Sequence, residues 1–345
     1  MATRPTTSGT VIITGGNRGL GYEAAKNIAA SGEGWRVVIA ARDEAGAAGA
    51  VARLVEETGN PNVEARRLDL ASLSSVRSFA KAFDARDDLP PLRAIVCNAG
   101  LQVVGGTTYT EDGFETTFGV NHLGQYLFVN LLLKELVAPA RVVYVASGTH
   151  DPKKTTGIPM PEPRYQEATT LAHPDERLGP AEEEEGPGVV GRRRYTTSKL
   201  CNIYATYELD RRLKAEGLST DAAPITVNAF DPGLMPSTDL SRDYSPRLRF
   251  VAQRILPKLL PVFGLFGVNI NSVATSGEAL ARLVVDPELT DVSSRYFEGG
   301  KEIPSSEASY DRGNAAELWE TSAVLVGLRP EESVLPLPSD HASKA

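Results

Sequence analysis

The chain predicts an α/β fold: one doubly wound parallel sheet with helices on both faces, carrying an inserted segment and a C-terminal apolar lid. Three observations lead there. Short β-branched runs alternate with longer helical patterns, the order that builds a parallel sheet with crossover helices. Most of those runs are continuously apolar, as strands covered on both faces are. The 345 residues suffice for one large α/β domain or two small ones.

The candidate strands, in order, are TVIIT (10–14), RVVIAA (36–41), VEARRLDL (63–70), RAIVCNA (93–99), RVVYVAS (141–147) and ITVNAF (225–230). Helical patterns fill the spaces between them, among them YEAAKNIAAS (22–31), SSVRSFAKAFDA (74–85) and NHLGQYLFVNLLLKEL (121–136). We assign 10–330 to a single domain, after a flexible, polar N-terminus of nine residues (1–9). Residues 151–194 are rich in proline and charge and read as a partly irregular insertion. Residues 236–270 are apolar but broken by prolines and glycines. They form either a lid over a greasy substrate or a subunit interface or core cover. The tail, 331–345, reads as loosely held.

Composition narrows the function. A net charge of −8 argues against a general nucleic-acid binder. Cys97 and Cys201 fall in separate elements and read as packing residues rather than a disulfide or zinc pair. Four scattered histidines give little support to a metal site, and His150 reads as a loop residue. No run is long and apolar enough to span a membrane, and no signal-peptide core is visible. A reducing, cytoplasmic setting is the expectation.

The first strand runs into TGGNRGLG (14–21). Gly15, Gly19 and Gly21 permit a tight turn and let the backbone approach a pyrophosphate at a helix N-terminus. A Rossmann-type dinucleotide site is therefore expected. The second strand ends Ala40-Ala41 and is followed by Arg42, where an NAD site usually ends in an acid. Arg42 and Arg18 would bind a 2′-phosphate, which predicts NADP(H); the bland alternative is that Arg42 only solvates a loop.

Tyr195 and Lys199 stand four residues apart, on one helix face. A phenol with a pKa of about 10 is a poor acid or base at neutral pH. A neighbouring ammonium favours the phenolate and makes proton exchange effective. Ser147 ends a strand on the ligand side of the sheet, where its hydroxyl could hold a substrate oxygen or cap a turn. Asn121 alone could be a helix N-cap.

Together, TGGNRGLG, CNAG (97–100), NHLG (121–124), VAS (145–147), YTTSK (195–199) and DPG (231–233), in this order, resemble the short-chain dehydrogenase/reductase family. The resemblance implies hydride transfer between a nicotinamide and a substrate carbon, with Tyr195 exchanging the proton. It implies that Lys199 bonds the nicotinamide ribose and that Asn121 supports a water chain to Lys199. Asn17, Arg18 and Leu20 belong to the matching cofactor loop. By the same resemblance Asp69, with Leu70, approaches the adenine. Asn98, Ala99 and Gly100 line the cofactor, and Pro232, Gly233 and Thr238 complete its site. Thr238 is either a carboxamide contact or a helix cap before Asp239.

The 48-residue spacing from Ser147 to Tyr195, YTTSKLCN and the ending LWETSAVLVGL (318–328) resemble the protochlorophyllide oxidoreductase branch. NHLG and SKLCN resemble retinol dehydrogenase-like enzymes. Where the pigment-reducing branch carries cysteine after the Pro-Gly, this chain has Leu234. Three functions follow. The first is an NADPH-dependent oxidoreductase of a bulky apolar carbonyl or alcohol. The second is a light-driven C=C reductase. The third is an inactive NADP(H)-sensing protein, against which the retention of Ser147, Tyr195 and Lys199 argues. The insertion leans the oligomeric state towards monomer.

Overall fold

The computed structural model describes residues 9–32, 34–86, 88–154, 159–174, 185–235 and 271–338. The first half runs β1 (Thr10–Thr14), α1 (Gly19–Ala29), β2 (Arg36–Ala41), α2 (Glu44–Thr58), β3 (Val63–Arg67), α3 (Leu73–Asp84), β4 (Leu92–Cys97), α4 (Thr116–Phe118) and α5 (Gly124–Leu132). The second half runs β5 (Leu136–Val145), α6 (Ala168–Ala172), α7 (Pro187–Ala215), β6 (Ile225–Asp231), α8 (Val273–Val285), β7 (Arg295–Glu298), β8 (Lys301–Ile303) and α9 (Arg312–Leu325).

Among the described residues, eight strands form one sheet in the order β3-β2-β1-β4-β5-β6-β7-β8. All neighbours are parallel except β7 and β8, which close an antiparallel hairpin. The order reverses between β1 and β4, and ligands bind at such a switch point, beyond the carboxyl ends of the strands.

Alternate strand residues enter opposite layers. Ile12, Val38, Ile95 and Val142 pack with α3, α5, α7 and α9. Val11, Ile13, Val37, Ile39, Val96 and Val143 pack with α1, α2 and α8. This explains the continuous apolar runs of β1, β2, β4 and β6 and of the second half of β5, where both faces are buried. Within the first layer the Tyr126 and Trp319 rings meet edge-on, centroids 4.7 Å apart. Each such large side chain contributes roughly 1.5–3 kcal/mol by burial. Asp43, Ser72, Ser272 and Asp311 cap α2, α3, α8 and α9 through side-chain oxygens, worth about 1 kcal/mol each.

Several sequence boundaries move. The helix carrying Tyr195 starts at Pro187, so the insertion ends earlier than residue 194; proline at the first helical position suits that start. β7 and β8 have no counterpart in the sequence reading, being four and three residues long. Around Asn121 the chain makes a π-turn, Gly119–Leu123, before α5. Leu335 is buried and Glu332 pairs with Arg77 at 2.9 Å, so the start of the tail is packed. The proposed lid (236–270), with Thr238, lies outside the described residues, as do 155–158 and 175–184 of the insertion.

The described part of the insertion lies across the Tyr195 helix. Arg164 N–H donates to Thr197 Oγ1 at 2.9 Å. The Tyr165 hydroxyl donates to Glu317 of α9 at 2.5 Å. Ala172 C=O accepts from Glu115 N–H at 2.8 Å.

Candidate active site

The glycine turn follows β1. Gly15 and Gly19 have φ of 66° and 57°, the left-handed region that glycine enters without penalty. A Cβ on Gly21 would stand 2.5 Å from Asn98 Nδ2 and 2.7 Å from Gly15 O. Only glycine lets α1 begin that close to the turn. Gly19 is exposed, with nothing within 4 Å of a Cβ built on it, so the outer side of the turn is open to a ligand. Leu20 is buried beneath it.

One hydroxyl ties this turn to the next strand. Thr14 Oγ1 accepts from Asn98 N–H (3.0 Å), Ala99 N–H (2.9 Å) and Gln125 Nε2 (3.0 Å). Asn98 Nδ2 donates to Thr14 O at 2.8 Å, and Gln125 Nε2 to Ala99 O at 3.0 Å. The Asn98 side chain therefore braces β1 against β4. Thr14 and Gln125 were not among the residues singled out in the sequence. The available signal was Gln125, one of two amides in the otherwise apolar helix QYLFVNLL, every residue of which is buried.

At the far end of the turn, Arg42 is exposed just past β2 and has no side-chain partner among the described residues. The neighbouring acid is committed elsewhere: Asp43 Oδ1 accepts from Gly46 N–H at 3.1 Å. Asn17 is half-buried and Arg18 exposed at the start of α1. Asp69 is half-buried, and its Oδ1 accepts from Ala71 N–H at 3.0 Å. Leu70 packs on α5, where a Cβ on Gly124 would stand 2.4 Å from Leu70 O.

Beyond the strand ends lie the residues expected to react. Lys199 Nζ donates to Val145 O at 2.9 Å and lies 5.6 Å from the centre of the Tyr195 ring. Both side chains are buried. Burial pushes the Lys199 ammonium down from 10.5 to about 8, while the Asp231 carboxylate acts in the opposite direction. A Cβ on Gly100 would stand 3.2 Å from Asn121 Oδ1 and 3.4 Å from Lys199 Nζ, so these two groups flank the CNAG turn. Asn121 is no helix cap. Its Oδ1 accepts from Leu101 N–H (2.8 Å), and its Nδ2 donates to Leu101 O (2.9 Å) and Ser198 Oγ (3.0 Å). Ser198 Oγ in turn donates to Tyr195 O at 2.7 Å.

Ser147 is partly exposed and heads a short turn. Its Oγ accepts from Thr149 N–H (3.3 Å) and Thr149 Oγ1 (3.1 Å), which leaves its own proton for another acceptor. His150, expected to be a loop residue, lies in that short turn and is 1 % exposed. Its Nδ1 meets Ser147 O at 2.7 Å, and its Nε2 accepts from Ser306 N–H at 2.9 Å. Pro232 O accepts from Ser276 Oγ at 2.7 Å, and Gly233, at φ 77°, donates to Asp231 Oδ1 at 2.9 Å.

The thiols of Cys97 and Cys201 are free and buried. Among the described residues no group of three or more His, Cys, Asp or Glu side chains could hold a metal. No described helix is long and apolar enough to cross a membrane.

Fold and site together define a dehydrogenase/reductase, and comparison with known proteins agrees. The short chain dehydrogenase family model matches residues 9–156. A chloroplastic protochlorophyllide reductase of Daucus carota is 34% identical over 93% of this chain and 78% of its own. Retinol dehydrogenase 13 of Homo sapiens is 33% identical over 95% of this chain and 88% of its own. The crystal structure of an uncharacterised protein from Mycobacterium Paratuberculosis superposes with a TM-score of 0.64 at 28% identity, covering 96% of this chain and 97% of that one. The chain belongs to the short-chain dehydrogenase/reductase family, and it is an oxidoreductase of the branch that includes the protochlorophyllide reductases and retinol dehydrogenases.

Proposed function

We propose that the protein is an NADP(H)-dependent oxidoreductase acting on a bulky apolar carbonyl or alcohol, with Tyr195 as proton donor and acceptor. One observation carries the reading: a buried lysine ammonium lies 5.6 Å from the ring of Tyr195 at the strand ends. The glycine cradle fits a dinucleotide, because added Cβ atoms at Gly15 and Gly21 would fill the space between turn and CNAG segment. Gly15, Asn17, Arg18, Gly19, Leu20 and Gly21 would hold the pyrophosphate, and Asp69, Leu70, Asn98, Ala99 and Gly100 would flank the cofactor. Arg42 is exposed and Asp43 is engaged as a cap, which favours a 2′-phosphate over a ribose hydroxyl. When bound, the nicotinamide exchanges the hydride.

The chain's own groups handle the oxygen. In reduction, Tyr195 gives its proton to the forming alkoxide while the Ser147 hydroxyl donates a hydrogen bond to the same oxygen. In oxidation the proton returns to Tyr195. The Lys199 ammonium stabilises the phenolate so formed, and Asn121 fixes the backbone of the helix through Ser198. An apolar substrate is supported by the relatives, named for a tetrapyrrole and a retinoid. A cytoplasmic, monomeric protein is part of the same proposal.

The test is a panel of polycyclic and aromatic ketones with NADPH in the dark. The wild type should turn over at least one, and Tyr195→Phe should lose the reaction by about 10²–10⁴-fold while binding NADPH normally. Near-normal turnover by the variant overturns the reading. Arg42→Ala should weaken NADPH binding and leave NADH binding unchanged. A second reading, light-driven C=C reduction, is favoured by the resemblance to the carrot reductase. Protochlorophyllide consumption only under illumination would establish it.

A further inference from the structure

Asp231 ends β6 with 2 % of its surface exposed, and a buried carboxylate requires partners. Its Oδ1 accepts from Gly233 N–H at 2.9 Å, and its Oδ2 accepts from the Tyr296 hydroxyl at 3.0 Å. The same Oδ2 lies 3.5 Å from Lys154 Nζ, which pairs with Glu298 at 2.6 Å. A Cβ on Gly148 would stand 2.9 Å from Asp231 Oδ2. The carboxylate thus rests against the residue that follows Ser147.

The other side of the cluster is the Lys199 anchor. β5 and β6 pair Val145 with Phe230, and Val145 O is the acceptor of Lys199 Nζ. Asp231 is the next residue along β6. Three elements therefore present charged or titratable groups here. Lys199 and Tyr195 come from α7, His150 and Lys154 from the segment after β5, and Tyr296 and Glu298 from β7. His150 is neutral, because a backbone N–H from Ser306 occupies its Nε2. Asp231, Glu298 and the ammonium groups of Lys154 and Lys199 remain, with Asp151 beside His150.

We propose that Asp231 is a positioning residue for the proton-exchanging pair: its carboxylate holds Lys199 as an ammonium, and Lys154, at the root of the insertion, sets how strongly it does so. The inference rests on the reading of Tyr195 and Lys199 given above. Removing Asp231 leaves Lys199 with less opposing charge against a burial that already disfavours the ammonium. Removing Lys154 leaves both carboxylates to act on Lys199. The two changes therefore have opposite signs, which a general loosening of the structure would not produce.

The test titrates Lys199 directly and needs no substrate. Full-length protein is labelled with 13Cε-lysine and followed by NMR over pH, with the Lys199 signal assigned by its loss in Lys199→Arg. In Asp231→Asn the midpoint should fall by about one pH unit, roughly tenfold in acid constant. In Lys154→Met it should rise. An unmoved midpoint in folded Asp231→Asn, or movement in the same direction in both variants, overturns the proposal. Should Asp231→Asn fail to fold, Lys154→Met decides alone, its side chain being 21% exposed; no upward shift is then a refutation. Failure here leaves the Tyr195→Phe experiment intact, so the two ideas fall separately.

Discussion

Replacing Lys199 by methionine should stabilise the cofactor-free protein at neutral pH. The side chain is 4 % exposed, and burial lowers its pKa from 10.5 to about 8. At about 1.4 kcal/mol per unit, keeping the ammonium protonated in the fold costs on the order of 3 kcal/mol. Methionine of similar length removes that cost. It does not orphan Val145 O, because Asn202 Nδ2 donates to the same oxygen at 3.1 Å. Asp231 keeps Gly233, Tyr296 and Lys154. The sign follows from linkage. The folded value lies below the unfolded one, so between pH 8 and pH 10.5 the unfolded chain holds the extra proton. Wild-type stability therefore rises through that window relative to the variant. The variant's advantage of about 2–3 kcal/mol is full below pH 8 and gone near pH 10.5. Urea unfolding of both proteins at pH 7, 8, 9 and 10 measures the difference. A variant less stable than wild type at pH 7, or a difference constant over pH, would refute the reasoning.

Gly277→Ala tests the contact between α1 and α8, where the new Cβ would stand 2.2 Å from Glu23 Cβ and 2.9 Å from Glu23 C. Helix propensity gains about 1 kcal/mol and overpacking against backbone costs up to about 3 kcal/mol. The expected result is a Tm lower by several degrees; an unchanged or raised Tm counts against the packing described. His122 is buried against Ser322 Oγ at 2.8 Å, and burial pushes its pKa from 6.5 down to about 3. The unfolded chain binds the extra proton between those values, so stability falls as pH drops below 6.5, by about 1.4 kcal/mol per unit from this group. His122→Gln should move the acid-unfolding midpoint to lower pH, and coincident acid transitions would exclude the assignment.

Six of the eight described strands were legible: five as largely apolar, buried runs with few other destinations, and β3, half-buried, by its place in the alternation of strand and helix. The hairpin of β7 and β8 was not. Arg295–Glu298 contains two buried aromatics only, and its register is fixed from outside, by Arg295 N–H on Asn228 Oδ1 at 3.0 Å. Ser147, Tyr195 and Lys199 could be named from spacing and motif order, because helix periodicity and strand ends dictate where those side chains emerge. Asp231 could not be assigned a part. Its neighbours Lys154, Tyr296 and Gly148 lie 77, 65 and 83 positions away in the chain, and only the sheet order brings them together. Thr14 is illegible for the same reason: a strand-end threonine looks ordinary until two turns converge on its hydroxyl.

The sheet places the glycine-turn helix α1 in one packing layer and the Tyr195 helix α7 in the other. A lineage can therefore remodel the packing around α7 to suit a new reactant while α1, on the opposite face of the sheet, keeps its own neighbours. Drift in enzymes built this way should accumulate unevenly, heavier on the α7 side of the sheet than on the α1 side.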